Sequence, residues 1–566
     1  MNQQILETED APLLYAVLIP PLVGFAGQKT QTPPAPKGTI EGVVLKAGTG
    51  EPLKKAWITL RGTQGQGSSE SAMSEANGRF TLQNIEPGQY TLWVERNGFV
   101  SQGYGQRGPE SPGTILTIHP GQTIRDIEVR MTPAAAISGH VYDEEGEPVA
   151  WARVSALRYT YYEGQRKLQP AGESSTNDLG EYRIFGLAPG RYFLSAIFER
   201  WDWPPVAGAA TAVAEADTAR AEMAYAPTYF PGVSDVARAA PLDVRAGDDM
   251  PGFDITLMAT RAVHVRGRIL DATTGKPTPR AMVALMPREA AVRSFFSSAD
   301  TYLEDPEGKF DLRGVVPGAY TLIAHSWDGE NRMQAHVPLD VGAAGIDGLV
   351  VALGPGIDVA GRLQWEGPAP GKGAAPQIHL RSNEEAIFFR GAMGEVKADG
   401  RFTLKNVPDG DYRIHVFEAP EGCYVKSARL GGDDVLREGL TVAGGKVAGA
   451  LEIVMSCAGG TLEGVVLNDQ QQPVTEARIV LIPEGERRSQ EHLFAITRPD
   501  QYGHFIMKGI APGDYKVFAW ANVEYDAYRD PEFLRIYEDA GKPLTVGEGS
   551  RLSVQLQLIP ADKTQP

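Results

Sequence analysis

Histidine, cysteine and serine are the residue types most often used for metal binding and nucleophilic catalysis, and their arrangement in this chain fits neither. The nine histidines, His264, His325, His336 and His492 among them, are scattered along the sequence. A zinc enzyme needs ligands that converge on one open metal position. The motifs HExxH, GxSxG, GxxxxGK[ST] and CxxC are absent from the sequence. The sequence therefore predicts no catalytic residue, no metal site and no cofactor.

Aromatic residues are the second candidate for chemistry, because a flat ring buries the apolar face of a sugar while polar tips hydrogen-bond its hydroxyls. They concentrate in two segments, an insertion over residues 198–248 and the stretch "WANVEYDAYRDPEFLRIYEDAG". In the latter, Asp530 can cap a short helix with Pro531 at its first position and Gly541 at its end. The candidate ligand contacts are Trp201, Trp203, Tyr225, Tyr229, Phe230, Trp520, Tyr525 and Tyr528. The alternative is that both clusters form small cores beneath long loops.

Two cysteines, Cys423 and Cys457, are the only ones in the chain. In an oxidising compartment they could form a disulfide. The alternative is a pair of buried thiols.

The elements that position these residues come from a phrase that recurs five times, first as "NGRFTLQNIEPGQY". Its first aromatic is Phe80, Tyr182, Phe310, Phe402 or Phe505. A glycine two residues earlier is Gly78, Gly180, Gly308, Gly400 or Gly503. A second glycine is Gly88, Gly190, Gly318, Gly410 or Gly513, and a tyrosine follows it as Tyr90, Tyr192, Tyr320, Tyr412 or Tyr515. Such internal repetition determines the architecture before any other feature does.

The spacing within the phrase predicts two strands joined by a turn. Aromatic and aliphatic residues two apart indicate a strand with one buried face. The leading glycine fits a turn position with positive φ, and the Pro-Gly pairs indicate a second turn. The last aromatic is always tyrosine, which suggests that its hydroxyl bonds back to the turn backbone. The alternative is that tyrosine only fills a half-exposed strand position.

Each copy of the phrase lies within a longer unit of short strands. A strand around Gly42, Gly139, Gly267, Gly361 or Gly464 opens each unit, and an alternating run such as "IRDIEVRM" closes it. Short strands separated by Gly and Pro indicate antiparallel β-sandwiches of roughly 100 residues. The predicted fold class is therefore all-β, a tandem array of five immunoglobulin-like or prealbumin-like sandwiches. We predict repeats at 38–132, 134–260, 261–354, 355–457 and 458–560, with short connections that indicate a semi-rigid row.

The pattern GxFxLxxIxPGxYxL, with its opening GxV strand and an AxV strand, resembles the carboxypeptidase regulatory-like domain. That domain is a transthyretin-type sandwich related to Cna B-type and starch-binding-like folds. Phrases such as "YAPTYFPG" further resemble large tandem-repeat proteins of acidobacteria. The resemblance covers nearly all of residues 38–560, and it implies an accessory domain rather than a peptidase. It says little about function, because such domains accompany many activities.

The net charge and the acidic turns limit the kinds of ligand that we expect the chain to bind. A formal net charge of −17 disfavours nucleic acid, which is bound through clusters of Lys and Arg. The turn "DEEGEP" at 143–148 could hold calcium, but it lacks the ligand series of an EF-hand loop. Solvated turn carboxylates are the simpler interpretation.

Residues 1–37 are predicted to be a signal peptide and a Pro-rich linker. The apolar stretch 11–26 fits a signal-peptide core with cleavage near Ala26, and it is short for a membrane span. The acidic start "MNQQILETED" departs from the basic start of such a peptide. We expect an extracytoplasmic protein with no membrane span in its mature chain.

Three functions are compatible with these features. The first is an exported, non-enzymatic binding protein whose loops hold a glycan or a cell-envelope protein. The second is a spacer or scaffold that bridges partners, with the aromatic residues serving only as packing. The third, an enzyme, requires a pocket with convergent titratable groups, and the sequence indicates none.

Overall fold

The structure is a computed structural model of the 566-residue chain. It describes residues 35–63, 69–106, 111–198, 223–288, 299–328, 331–367, 376–382, 391–447 and 449–561. Within these ranges nearly every regular element is a β-strand, so the predicted all-β class is confirmed.

The strands of the first two repeats follow the predicted order. The first repeat contains β1 (Gly38–Lys46), β2 (Trp57–Gly62), β3 (Glu70–Met73), β4 (Arg79–Ile85), β5 (Gly88–Glu95), β6 (Gln102–Gly103), β7 (Leu116–Ile118) and β8 (Thr123–Met131). The second contains β9 (Ala135–Tyr142), β10 (Arg153–Tyr162), β11 (Gln165–Ser175), β12 (Glu181–Leu187), β13 (Gly190–Ile197), β14 (Met223–Ala226), β15 (Thr228–Tyr229), β16 (Leu242–Val244), β17 (Asp249–Met250), β18 (Ile255–Thr256) and β19 (Met258–Arg261).

The remaining strands belong to the last three repeats. The third contains β20 (Val263–Asp271), β21 (Arg280–Pro287), β22 (Ala299–Glu304), β23 (Lys309–Val315), β24 (Gly318–Asp328), β25 (Asn331–Val341) and β26 (Ile346–Pro355). The fourth contains β27 (Ile357–Glu366), β28 (Gln377–Ser382), β29 (Ala392–Glu395), β30 (Arg401–Val407), β31 (Gly410–Phe417), β32 (Tyr424–Leu430), β33 (Asp433–Asp434), β34 (Leu440–Val442) and β35 (Leu451–Ser456). The fifth contains β36 (Gly460–Leu467), β37 (Arg478–Pro483), β38 (Ala495–Thr497), β39 (His504–Ile510), β40 (Gly513–Trp520), β41 (Lys542–Val546) and β42 (Arg551–Gln557).

Helices are short and few in the described part of the chain. The α-helices are α1 (Val435–Glu438) and α2 (Pro531–Tyr537). Single 3₁₀ turns occur at Val236–Arg238, Gly485–Ser489, Glu491–Leu493, Ala527–Arg529 and Glu538–Ala540. None of the described helices is long and apolar enough to cross a membrane.

A separate hydrophobic core lies within each predicted repeat. The five main clusters of buried side chains span residues 40–131, 135–257, 263–353, 359–455 and 462–556. None of these clusters takes a residue from a neighbouring range. We therefore propose that the five predicted ranges correspond to five sandwich domains.

One sheet of each repeat is built around its opening strand. This strand pairs antiparallel with the strand of the first aromatic and parallel with the closing strand, as β1 does with β4 and β8. The opening glycine lies opposite the first aromatic in all five repeats, Gly42 opposite Phe80 being the first case. A second sheet pairs the tyrosine strand with the strand that follows the opening strand, as β5 with β2. In the third repeat the long β24–β25 hairpin joins the two sheets into one.

The turn residues of the phrase behave as their types require. The leading glycine has positive φ in every copy, from 68° at Gly308 to 81° at Gly503. The tyrosine hydroxyl donates a hydrogen bond to the carbonyl oxygen four residues earlier in every copy. The oxygen–oxygen distances run from 2.7 to 2.9 Å. These tyrosines are buried, so they do not simply fill half-exposed positions.

The contacts between repeats go beyond those of the predicted semi-rigid row, because the fifth repeat contacts the first and second repeats as well as its neighbour, the fourth. Strand β7 of the first repeat hydrogen-bonds Gln501, and the β10–β11 hairpin of the second hydrogen-bonds Glu524. Lys508 forms an ion pair with Glu421 of the fourth repeat. Linker length alone did not reveal these contacts, which join residues separated by more than 350 positions in the first two cases.

Candidate functional site

The aromatic cluster of the fifth repeat covers the outer face of its β37–β40 sheet. The Trp520 ring stacks on Phe518, with centroids 4.8 Å apart, and meets Tyr537 edge-on. Trp520 and Tyr528 are buried with Val480, Ile482 and Phe533 in a satellite core. These two candidate ligand contacts are therefore closed to a surface ligand. Burial of the sheet's apolar outer face explains why the chain places them there.

Helix α2 supplies the other side of this satellite core. The carboxylate of Asp530 caps the helix by accepting a hydrogen bond from the Glu532 amide, and Pro531 begins the first turn. The helix ends at Tyr537 and a 3₁₀ turn continues to Ala540, just before Gly541. Tyr525 is the exception in this cluster, because it is 55% exposed and lies against the Arg478 guanidinium.

The insertion of the second repeat covers its own sheet in the same manner. Tyr229 is buried with Leu157 and Leu168, and Phe193 packs against them. Phe230 and Tyr225 pack against the main core of the repeat, and the Tyr225 hydroxyl bonds a Glu144 carboxylate oxygen. Trp201 and Trp203 lie outside the described residues. The described part of the insertion thus covers the sheet, and Tyr229 is buried rather than at the surface.

A surface with exposed aromatic residues lies elsewhere, on the first repeat. Trp57 on β2 is 47% exposed and Met73 on β3 is 54% exposed, and the two are directly opposite in the strand register. Trp93 on β5 is half-buried and lies opposite Thr59 on the same sheet. Sequence reasoning missed this surface because it searched the insertions. The available signal was the alternation of β5, where Tyr90, Leu92 and Val94 face inward and Trp93 faces outward.

The cysteines of the fourth repeat form a disulfide. Cys423 precedes β32 and Cys457 follows β35, and these two strands pair antiparallel from Tyr424 opposite Ser456. The disulfide therefore links the two paired strands at the end where Tyr424 lies opposite Ser456.

Acidic turns serve the backbone in this structure. Asp143 Oδ1 accepts hydrogen bonds from the amides of Glu145 and Glu147, at 3.0 and 2.9 Å. Asp305 and Asp500 repeat this arrangement in the third and fifth repeats. Asp305 and Asp500 stabilise the turn before the first aromatic strand, whereas Asp143 stabilises the turn after the opening strand β9. Each carboxylate thus has a backbone role in its turn.

One His-x-x-Glu pair occurs in the chain, at His415 and Glu418 on the outer side of the fourth repeat. Glu418 accepts a hydrogen bond from Gln377, and burial lowers the pKa of His415 below the ordinary histidine value. The described residues contain no group of three or more His, Cys, Asp or Glu side chains that could hold a metal ion. The pair is an isolated spacing match.

A partly buried polar joint connects the second and fifth repeats. The Tyr161 amide donates to Glu524 Oε1 at 3.0 Å, and the Glu163 amide donates to Asp526 Oδ2 at 3.3 Å. The Tyr161 ring packs edge-on against Phe533, with centroids 6.1 Å apart. Burial raises the pKa of Glu524 above its ordinary value. The hairpin tip of one repeat is thus seated on the helical segment of another.

Sequence comparison gives a match over one repeat. Residues 39–132 match the model of the carboxypeptidase regulatory-like domain. No curated protein matches the chain.

Solved structures of several bacterial proteins are similar to parts of the chain at low identity. The TIE protein of Bacillus anthracis is 12% identical, with 56% of this chain and 51% of that one covered and a TM-score of 0.16. This chain thus spans about half the length of that protein. The minor pilin GBS52 of Streptococcus agalactiae is 10% identical, covering 40% of this chain and 98% of its own, with a TM-score of 0.22.

Two B repeat units of the collagen binding protein of Staphylococcus aureus are 10% identical, covering 75% of this chain and 99% of their own, with a TM-score of 0.13. TM-scores this low carry no argument about function or assembly. The family match and the shared register are the firmer findings. Residues 39–132 are similar to the carboxypeptidase regulatory-like domain, and the four later repeats place the same opening glycine opposite the same kind of aromatic residue.

Proposed function

We propose that this chain is a non-enzymatic scaffold whose sandwich repeats are held in a fixed arrangement by the fifth. The observation that carries the proposal is the set of hydrogen bonds from the fifth repeat to the first, second and fourth. A flexible tether would not need such contacts. The burial of Tyr229, Trp520 and Tyr528 further supports a packing role for most of the aromatic clusters.

The contact with the first repeat resembles an added strand. The Ile115 amide donates to the Pro499 carbonyl at 3.1 Å. The Gln501 side-chain amide then bonds both backbone groups of Thr117, at 2.8 and 2.7 Å. Strand β7 lies at an edge of its sheet, where unpaired backbone groups otherwise face water. Gln501 satisfies these groups, so the contact fixes one relative position of the two repeats.

The contact between the fifth and second repeats combines apolar packing with hydrogen bonds. Tyr161 packs against the satellite core of the fifth repeat. Arg381 of the fourth repeat forms an ion pair with Glu163 at the same hairpin tip, at 2.8 Å. Three repeats therefore meet at one hairpin, which supports a rigid joint.

We also propose that the scaffold acts outside the cytoplasm and holds a glycan or a cell-envelope protein. The apolar segment 11–26 supports export. The Cys423–Cys457 disulfide supports an oxidising compartment, since cytosolic thiols are kept reduced.

Small-angle X-ray scattering of the full chain tests the fixed arrangement. The double variant Gln501→Ala/Tyr161→Ala removes the hydrogen bonds of Gln501 to Thr117 and the contact of the Tyr161 ring with the satellite core. It leaves the main core of every repeat unchanged. We expect a larger radius of gyration and a broader distance distribution than in the wild type. The control Gln83→Ala/Tyr302→Ala changes two exposed side chains of the same types and should leave the profile unchanged. Equal profiles for the two double variants would contradict the proposal.

A further inference from the structure

The outer face of the tyrosine-strand sheet is covered in two repeats and open in the first. In the fifth repeat, residues of α2 and its flanking turns cover Val480, Phe518 and Trp520. In the second, Tyr229, Val233 and Val236 cover Leu157 and Phe193. In the first, Trp57 and Met73 remain about half exposed. Among the described residues, the same face of the fold thus has a cover in the second and fifth repeats and an exposed aromatic surface in the first.

Strand register allows the open and covered faces to be compared position by position. The first opposed pair is Trp57 with Glu95 on the open face, and the corresponding pair on the covered face is Arg478 with Trp520. In the next pair along, Thr59 lies opposite Trp93 as Val480 lies opposite Phe518. The third pair is Arg61 with Thr91 in the first repeat and Ile482 with Lys516 in the fifth.

The comparison indicates what kind of occupant the open face suits. Where the covered face has Val480, Ile482 and Trp520, the open face has Thr59, Arg61 and Glu95. An apolar polypeptide segment of the kind that covers the fifth repeat would leave these polar groups unpaired, which is costly. The open face nevertheless carries two indoles, Trp57 at the position of Arg478 and Trp93 at the position of Phe518. The open face therefore combines flat apolar rings with hydrogen-bonding groups between them.

We propose that this face, formed by Trp57, Thr59, Arg61, Met73, Trp93 and Glu95, binds a neutral polysaccharide. A pyranose ring offers an apolar face for an indole and hydroxyls at its edge for Thr59, Arg61 and Glu95. Trp57 and Trp93 occupy diagonal positions on neighbouring strands, and residues in such pairs are about 7–8 Å apart, within reach of each other's aromatic rings. A sheet face with two outward-facing rings on neighbouring strands suits an extended polysaccharide chain that contacts both rings.

Charge determines the class of polysaccharide. The chain has a formal net charge of −17, so a polyanion such as polygalacturonate is repelled at long range. Arg61 and Glu95 carry opposite charges on the face itself and give it no net preference for an ion. This inference deepens the glycan-binding part of the proposed function, and it does not depend on the fixed arrangement of the repeats.

Isothermal titration and affinity electrophoresis of the full chain test the site, with xyloglucan and mixed-linkage β-glucan as neutral probes and polygalacturonate as the charged one. We expect binding to a neutral probe, and a Kd raised about tenfold or more in Trp57→Ala, because a lost ring contact of about 1.4 kcal/mol corresponds to tenfold. Trp57→Phe should recover part of the affinity. Tyr302→Ala removes an aromatic side chain that is 69% exposed on the third repeat and should bind as the wild type does.

Several outcomes would overturn the assignment. Absence of binding to both neutral probes would do so, as would equal affinity of Trp57→Ala and the wild type, or preference for polygalacturonate. Loss in Trp57→Ala of association with a cell-envelope protein, without polysaccharide binding, would assign the face to a protein partner instead. Thermal unfolding of each variant verifies that the first repeat is folded. We expect Trp57→Ala to keep the wild-type scattering profile. A loss of polysaccharide binding with an unchanged profile then concerns this site and not the arrangement of the repeats.

Discussion

At the scale of single residues, the tyrosine that ends each phrase links the turn to the second sheet. Its ring is buried in the core, and its hydroxyl donates a hydrogen bond to a backbone carbonyl of the turn. These two roles explain why the first aromatic residue of the phrase is either Phe or Tyr, whereas the last is Tyr in every copy. Buried hydroxyls with a partner stabilise a fold, whereas a carbonyl left without one destabilises it.

Replacing Tyr90 with phenylalanine tests this role. The change keeps the ring and removes the hydrogen bond to the Glu86 carbonyl, which measures 2.8 Å. We expect the free energy of unfolding of the first repeat to fall by about 1 kcal/mol. Calorimetry or urea denaturation followed by tryptophan fluorescence measures this. Tyr302→Phe, at an exposed position, is the control, and equal effects of the two changes would contradict a role for the hydroxyl.

The Glu538 carboxylate provides a pH test of the fifth repeat. Hydrogen bonds from Arg488 and Lys516, both at 2.7 Å, lower the pKa of Glu538 to about 2. Because the folded pKa is depressed, the stabilisation is present above about pH 4.5, the ordinary value, and is lost as the pH falls toward 2. Since the side chain is 33% exposed, solvent screening limits the gain to roughly 1 kcal/mol or less.

The expected result is a smaller acid-dependent loss of stability in Glu538→Gln than in the wild type. Melting temperatures of the transition that includes the fifth repeat, recorded between pH 7 and 3, measure the difference. Glu532→Gln, an exposed change on the same helix, should follow the wild type. Parallel curves for Glu538→Gln and the wild type would exclude this ion pair as a source of the pH dependence.

At the scale of elements, the opening glycine and the first aromatic form one packing unit. In four repeats the aromatic ring lies over the glycine across the strand pair, and a Cβ there would meet the ring within 2.8 Å. In the second repeat Gly139 is instead closed by the Phe253 backbone, whose carbonyl accepts the Tyr182 hydroxyl. The glycine is thus required by close approach, and its own backbone is ordinary extended strand.

Gly361→Ala tests this packing unit. A Cβ at Gly361 would lie 2.2 Å from the Phe402 ring and 2.8 Å from the Leu451 carbonyl oxygen. We expect destabilisation of the fourth repeat by about 1–3 kcal/mol, the usual cost of overpacking. Gly354→Ala is the matched control, because a Cβ there meets no atom within 4 Å. Similar unfolding midpoints for the two variants would show that the strand pair tolerates the added methyl group.

At the scale of the whole molecule, stability is shared through the fifth repeat. Its clamp on Thr117 and its joint with Tyr161 connect repeats that are far apart in sequence. Coupled repeats open together more than isolated ones, so hydrogen exchange near these joints reports the coupling.

Gln501→Ala should therefore raise amide exchange locally in the first repeat. The Thr117 amide donates to Gln501 Oε1, and the Ile115 amide donates to the nearby Pro499 carbonyl. We expect faster exchange at both amides, while core amides such as that of Leu92 keep wild-type protection. Hydrogen–deuterium exchange with mass spectrometry measures this on the full chain. Unchanged protection of residues 115–117 would show that the two repeats do not meet in solution.

The sequence by itself determined the repeating frame. Alternation with period two, glycine at a positive-φ turn and an invariant tyrosine are local requirements of the backbone, so Gly78, Phe80 and Tyr90 could be assigned without coordinates. The helix at Pro531 was equally local, because its cap and first turn lie within a few residues of each other.

The tertiary structure alone decided which aromatic residues are covered and how the repeats meet. Burial depends on what packs against a face, and the covers of the second and fifth repeats come from segments that look like open loops in sequence. Trp520 and Trp57 both occupy outward strand positions, yet within the described ranges only Trp520 has a helix packed on it. The contact between Thr117 and Gln501 crosses 384 positions, and no periodicity in a sequence encodes such a distance.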